Sequence, residues 1–266
     1  MEGAQQPKVS VFLAGCQKTA STWLYHCFRE HPDIFVPELD AIHYFTINHY
    51  RGLDWYHPYF GEAGSGQTLI DATPSYIRDP EAARRIFAYN PEAKLIFSLR
   101  NPIDRAFSHY WHQKRKGQVG YAFEDAINYR GVGNIDMFDN WIRAGMYIEL
   151  LQPFLELFPK ENIKVVWFED LKKDPNAFIK EVFSFIGVDE AFVPNTVSEK
   201  RNAAKASAKS SKGLKGRLKA LVKGAPKPTE YELGMAPEVR QRLQEIYREP
   251  NRQLGEFFNK DLSHWT

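Results

Sequence analysis

The sequence predicts an α/β fold: a single domain over residues 1–266, with a mainly parallel central sheet flanked by helices and a P-loop-like phosphate-binding loop after the first strand. Three observations predict it. Apolar runs rich in β-branched and aromatic residues recur at Val9–Ala14, Thr68–Asp71, Lys94–Leu99 and Ile163–Phe168. Segments of helical spacing separate them, and strands interleaved with helices make a parallel sheet covered on both faces. The first run ends at Gly15 and passes through a tight polar loop, Cys16–Ala20, into a helix start at Ser21-Thr22.

The elements follow in order. Trp23, Leu24, Cys27 and Phe28 recur at helical spacing, and His31-Pro32 stops that helix. Ile34–Val36 is a short strand ended by Pro37, and Glu38–Tyr50 is a loop carrying His43, Tyr44, Phe45 and His49. Trp55, Tyr56, Tyr59 and Phe60 form an aromatic packing segment. Thr68–Asp71 is a strand leading into Ala72-Thr73-Pro74-Ser75-Tyr76. Asp79-Pro80 is a cap with proline at the first helical position, which predicts a helix over Pro80–Ala88. Lys94–Leu99 is a strong strand ending at Arg100, and Asn101-Pro102 caps the helix that carries Arg105, Ser108, His109 and His112. Helices are predicted over Leu150–Phe158 and Phe178–Ile186, the second stopped by Gly187, and again from Pro237, where the last helix is expected to pack on the sheet.

Composition bounds the function. The chain has 43% apolar residues and a net charge of +2, so it can bury a core and any basic character is local. That character is concentrated in Ser198–Pro228, which holds ten lysines and arginines from Lys200 to Lys227 against one acid, Glu199, and is expected to be a mobile lid. Two cysteines, Cys16 and Cys27, make no disulfide framework and predict a reducing compartment. The first residues lack a signal-peptide pattern and no apolar run is long enough to span a bilayer, so the expected location is cytoplasmic with no transmembrane segment. His109 and His112 lie one helical turn apart with no third ligand, so no metal site is expected.

The chemistry lies in two anion sites. The strand, loop and helix start over Val9–Arg29 offer backbone N–H groups, the Lys18 charge and the hydroxyls of Thr19, Ser21 and Thr22. The spacing is not that of the nucleotide-triphosphate loop: Lys18 follows Gly15 too closely and Ala20 stands where a glycine is expected. An ordinary turn with a surface lysine has the same appearance. The strand Lys94–Leu99 delivers Arg100 to the same edge of the sheet, with Ser108 on the following helix. A guanidinium and a hydroxyl suit a phosphate, although Arg100 could instead pair with Asp104.

These motifs resemble a family. GCQKTASTWL, HYF, TPSY and KLIFSLRNPIDRAFSHYWHQ look like sulfotransferases that use 3′-phosphoadenosine 5′-phosphosulfate (PAPS), and the branch is that of the heparan sulfate enzymes and their bacterial small-molecule relatives. The resemblance runs from about Val9 to Trp265 and includes GLDWY, Gly145-Met146-Tyr147 and the ending REPNRQLGEFFNKDLSHW. It implies that Gly15, Lys18, Thr19, Ala20, Ser21, Thr22 and Trp23 hold the 5′-phosphosulfate, that Arg100 and Ser108 hold the 3′-phosphate, and that Tyr147 lies near the nucleotide. It also implies that His112 belongs to the acceptor site and that the stretch after Glu199 closes over the donor. The acceptor would be a sugar or small molecule offering a hydroxyl or an amine or carbamoyl nitrogen, with no nucleic acid.

Two positions depart from the family pattern. Ala41 stands where the heparan sulfate enzymes usually carry a glutamate base, two residues before His43, and Ala72 stands where they often have a lysine. The catalytic set is therefore Lys18 with a base drawn from His112 and His43, then Asp71, then Asp40. Imidazoles rank first because they are neutral near physiological pH. Two other readings stay open: a nucleotide-dependent, kinase-like phosphotransferase with Asp71 as its magnesium ligand, and a protein that binds nucleic acid or an acidic membrane through Lys200–Lys227 and the Leu214, Leu218, Leu221, Val222 stripe.

Overall fold

The computed structural model describes residues 8–39, 41–128, 141–197 and 234–265. The basic stretch 198–228 and Asp40 lie outside these residues. Five strands, β1 (Val11–Gly15), β2 (Ile34–Phe35), β3 (Thr68–Asp71), β4 (Lys94–Leu99) and β5 (Ile163–Trp167), form one sheet in the order β2-β3-β1-β4-β5. All neighbours are parallel, with Val11 opposite both Ile70 and Lys94, and Leu99 opposite Trp167. Every strand therefore ends at the same edge. The order places β1 and β4 side by side, where chain connections leave in opposite directions and a crevice opens.

Nine α-helices are described: α1 (Ser21–Glu30), α2 (Leu53–Tyr56), α3 (Pro80–Tyr89), α4 (Pro102–Arg115), α5 (Phe123–Asn128), α6 (Tyr147–Leu157), α7 (Phe168–Lys173), α8 (Pro175–Ile186) and α9 (Pro237–Phe258). Alternate residues of the central strands serve two cores. Phe12, Ala14, Leu95 and Phe97 pack with α3 and α6, while Val11, Leu13, Ile96 and Val166 pack with α1 and α8. Burial on both faces is why these strands read as continuous apolar runs. A third cluster joins Ile103, Ala106 and Tyr110 of α4 to Val239, Leu243 and Tyr247 of α9.

Caps set the helix starts. Asp79 accepts from Glu81 N at 2.9 Å, Asn101 from Ile103 N at 2.9 Å, and Asp174 from Asn176 N at 3.0 Å, each followed by a proline at the first helical position. Gly187, at φ 92°, ends α8 in the left-handed conformation. The last helix departs from expectation. Both sheet faces are already covered, so α9 crosses α4 and α6 instead. Its last residue, Phe258, reaches the sheet edge through Trp167, ring centroids 6.3 Å apart. Among the described residues no helix is long and apolar enough to cross a membrane.

Candidate active site

The loop after β1 is held from below and open above. Thr19 is fully buried; its hydroxyl donates to the Cys16 carbonyl at 2.6 Å, and Ser98 Oγ of β4 donates to the Thr19 carbonyl. Lys18 and Ala20 have φ of 70° and 80°, while no other residue between Gly15 and Ser21 has a positive φ. Left-handed residues in a tight turn can bring successive N–H groups toward one concavity. Helix α1 starts at Ala20 with no side-chain cap and no acid in its first turn. Its first N–H groups are thus left to an anion. Gly15 is required by packing rather than by a ligand: a Cβ there would sit 2.9 Å from both Ile77 and Phe97. Trp23 also leaves the ligand set. Its indole is buried against Phe178 of α8, centroids 5.9 Å apart, because the helical face it occupies points to the second core.

The second cation stands against the first loop. Arg100 leaves β4 and its Nη1 reaches the Lys18 carbonyl at 3.5 Å, the long limit of a hydrogen bond. The guanidinium lies over the Phe168 ring at 4.8 Å, and its buried Nε has no partner. It does not pair with Asp104, whose carboxylate meets Arg240 at 2.9 Å. Tyr147 is fully buried, with its hydroxyl donating to the Arg100 carbonyl at 2.9 Å, so it supports the turn from below instead of facing a nucleotide. Glu169 accepts from Asn101 N at 3.1 Å and completes the support. Ser108 is half-buried on α4, two turns beyond Arg100.

The remaining candidates separate. Asp71 is fully buried; its carboxylate accepts from Tyr56 Oη at 2.9 Å, Tyr76 Oη at 2.8 Å and Thr73 Oγ1 at 2.6 Å. Burial pushes its pKa up and these hydroxyls pull it back. A carboxylate enclosed in this way cannot reach an acceptor or a magnesium ion. His43 sits at φ 56°, with Nδ1 3.0 Å from Ser75 Oγ, and its ring is fixed toward the turn after β3 rather than packed with Tyr44 and Phe45. Burial lowers the pKa of His112, and the positive charges of Lys18, Lys116 and Arg115 lower it further. Lys18 is lowered by burial and by Arg115, Lys116 and Arg100. Lys18, His112 and the end of α4 therefore share one electrostatic neighbourhood.

A family model described as the sulfotransferase domain matches residues 8–257. The chain belongs to the sulfotransferase family. It is 31% identical to human heparan sulfate glucosamine 3-O-sulfotransferase 6 over 94% of this chain and 72% of that protein. It is 29% identical to mouse heparan sulfate glucosamine 3-O-sulfotransferase 3A1 over 98% of this chain and 65% of that protein. The fold matches a crystal structure of a sulfotransferase from Alicyclobacillus acidocaldarius with a TM-score of 0.77 and 24% identity, covering 98% of this chain and 99% of that one.

Membership sets aside the phosphotransferase alternative: this sulfotransferase draws its sulfuryl group from PAPS. The chemistry of the residues present is compatible with an anionic donor: the start of α1 has no side-chain cap and Nε of Arg100 has no hydrogen-bond partner. No cluster of three or more His, Cys, Asp or Glu side chains among the described residues is placed to hold a metal ion. Sequence reasoning missed Phe168 and Glu169, which shape the Arg100 turn of the sulfotransferase. They follow β5 directly, and their place at the carboxyl edge was the available signal.

Proposed function

We propose that Lys18, Thr19, Ala20, Ser21 and Thr22 hold the 5′-phosphosulfate of PAPS, that Arg100 and Ser108 hold the 3′-phosphate, and that the acceptor is a sugar or small molecule with a hydroxyl or an amine or carbamoyl nitrogen. One observation carries this reading. The Lys18 loop and the Arg100 turn are fastened to each other, through Ser98 to Thr19 and Arg100 to Lys18, so two cationic sites stand at a fixed separation. A donor with a phosphate at each end of its ribose matches two fixed sites.

When bound, PAPS supplies an electrophilic sulfur and a bisphosphate leaving group. Lys18 holds positive charge at the loop, where charge on the leaving phosphate grows. The loop N–H groups and the start of α1 orient the 5′ end, and the Arg100 fork orients the 3′ end. A ring nitrogen of His112 or His43 takes the acceptor proton. His112 is favoured, because its lowered pKa keeps it neutral in the cation-rich site.

The test is differential stabilisation. 3′-Phosphoadenosine 5′-phosphate should raise the melting temperature well beyond 5′-AMP or ATP at equal concentration, since tighter native-state binding stabilises by mass action. Equal shifts with 5′-AMP would remove the 3′-phosphate site. A screen of hydroxyl and amine acceptors with PAPS and mass detection then identifies the acceptor.

A further inference from the structure

Helix α4 carries a buried charge close to the segment that meets the loop after β1. Arg105 of α4 is fully buried. Its Nη2 donates to the Trp141 carbonyl, and the Tyr247 hydroxyl lies beside the guanidinium, while Nε and Nη1 meet no acceptor at hydrogen-bond geometry. The adjacent carboxylate, Asp104, is taken by Arg240, and no carboxylate among the described residues pairs with Arg105. A guanidinium keeps its charge in a protein, and a buried charge without a counterion is costly.

The position of this charge is defined by a short shared segment. Trp141–Ala144 presents three carbonyls to the interior. Trp141 O takes Arg105; Ile142 O takes Tyr247 Oη at 2.8 Å; Ala144 O takes Cys16 Sγ, the first residue of the donor loop, at 3.6 Å. Arg105 is also bonded through its backbone N–H to the Asn101 carbonyl at 2.9 Å, one turn from the Arg100 turn. It is thus joined to the segment that meets Cys16 and to the turn that follows Arg100. Among charges it is the first to oppose the burial-driven rise of the Cys16 thiol, and it acts likewise on Tyr147, which supports Arg100.

We propose that Arg105 is an affinity determinant for the doubly anionic donor, acting through the low-dielectric floor and not by contact. The counterion missing from the protein is supplied by the phosphates that the loop and the Arg100 turn bind above it. In a medium of low effective dielectric, a charge several ångströms below a phosphate still contributes substantially. Apo stability and donor affinity therefore pull in opposite directions at this one residue. The inference rests on the donor reading given above.

The experiment compares Arg105→Met, Arg105→Gln and Arg105→Lys in the full chain. Apo melting is measured, with dissociation constants for 3′-phosphoadenosine 5′-phosphate and, as an uncharged probe, adenosine. Removing a buried unpaired charge is expected to leave apo melting of the Met variant at or above wild type. Its affinity for 3′-phosphoadenosine 5′-phosphate should fall about tenfold, with adenosine binding unchanged and the Lys variant within about threefold of wild type. The Gln variant gives the same comparison if Met does not fold. Unchanged nucleotide affinity in the neutral variants overturns the proposal. So does an equal loss for adenosine, or failure of both neutral variants to fold, because each makes Arg105 a purely structural residue. If wild type itself does not prefer 3′-phosphoadenosine 5′-phosphate to 5′-AMP, the donor reading fails first, which is a separate result.

Discussion

Asp71 gathers three hydroxyl donors on one buried carboxylate, and this decides what the residue does. Tyr56 and Tyr76 come from segments on either side of β3, so the carboxylate ties together the turns that frame His43 and Ser75. Asp71→Ala strands three buried hydroxyls and should cost roughly 3 kcal/mol or more, read by urea unfolding. Asp71→Asn keeps acceptor capacity and should keep kcat within about threefold, an outcome that a catalytic base could not give. The two cations of the site differ in the same residue-level sense. In the proposed donor arrangement Lys18 would face charge that grows in the transition state, whereas Arg100 would face a phosphate whose charge is constant. Lys18→Ala should therefore lower kcat by about a hundredfold. Arg100→Ala should mainly raise the donor KM, by about tenfold or more, through loss of a charge-assisted fork. Steady-state kinetics in donor and acceptor separate these outcomes, and equal effects on donor KM alone would reduce Lys18 to a binding residue.

At the scale of elements, the site is a product of strand ends, and the ends are held by packing that local sequence does not encode. The terminal segment shows this. Trp265 is 2% exposed, with its indole against Tyr147 at 6.1 Å and Trp167 at 5.5 Å, and Lys260 anchors the same segment to Asp170 at 2.7 Å. Tyr147 in turn holds the Arg100 carbonyl. Trp265→Ala should cost about 3–5 kcal/mol in urea unfolding and weaken donor binding, and Trp265→Phe should restore most of both. The strands were legible because burial on both faces makes them continuous apolar runs, and the starts of α3 and α4 because Asp-Pro and Asn-Pro pairs are local signals. The loop after β1 was legible as a polar, lysine-bearing turn between a strand and a helix start. The support of the neighbouring Arg100 turn was not: Glu169 meets Asn101 across 68 positions, and nothing local marks that pairing. Trp23 and α9 failed for a related reason. Helical spacing shows that a face is apolar, but strand order decides what covers it.

At the scale of the whole molecule, a chain of net charge +2 collects Lys18, Arg115 and Lys116 around His112, with Arg100 acting on Lys18. Because burial and neighbouring cations lower both Lys18 and His112, pH should act on the free enzyme in a defined direction. If His112 is the proposed base it works when neutral, so activity should be gained as pH rises through its lowered pKa, placing the acid limb below about 6.5, the ordinary imidazole value. Lys18 works when protonated, so activity is lost as pH rises through its own lowered pKa, placing the alkaline limb below about 10.4, the ordinary lysine value. The profile of kcat/KM for the donor reports these free-enzyme groups. Binding an anionic donor adds negative charge beside both groups and favours their protonated forms. Both limbs of kcat should consequently lie at higher pH than those of kcat/KM, a displacement that a site without cation crowding would lack. His112→Ala should remove the acid limb of both profiles and lower single-turnover sulfation while leaving affinity for 3′-phosphoadenosine 5′-phosphate in place. If the acid limb survives in His112→Ala and disappears in His43→Ala, the proton goes to His43, and Ser75, 3.0 Å from its Nδ1, becomes the group that sets its tautomer.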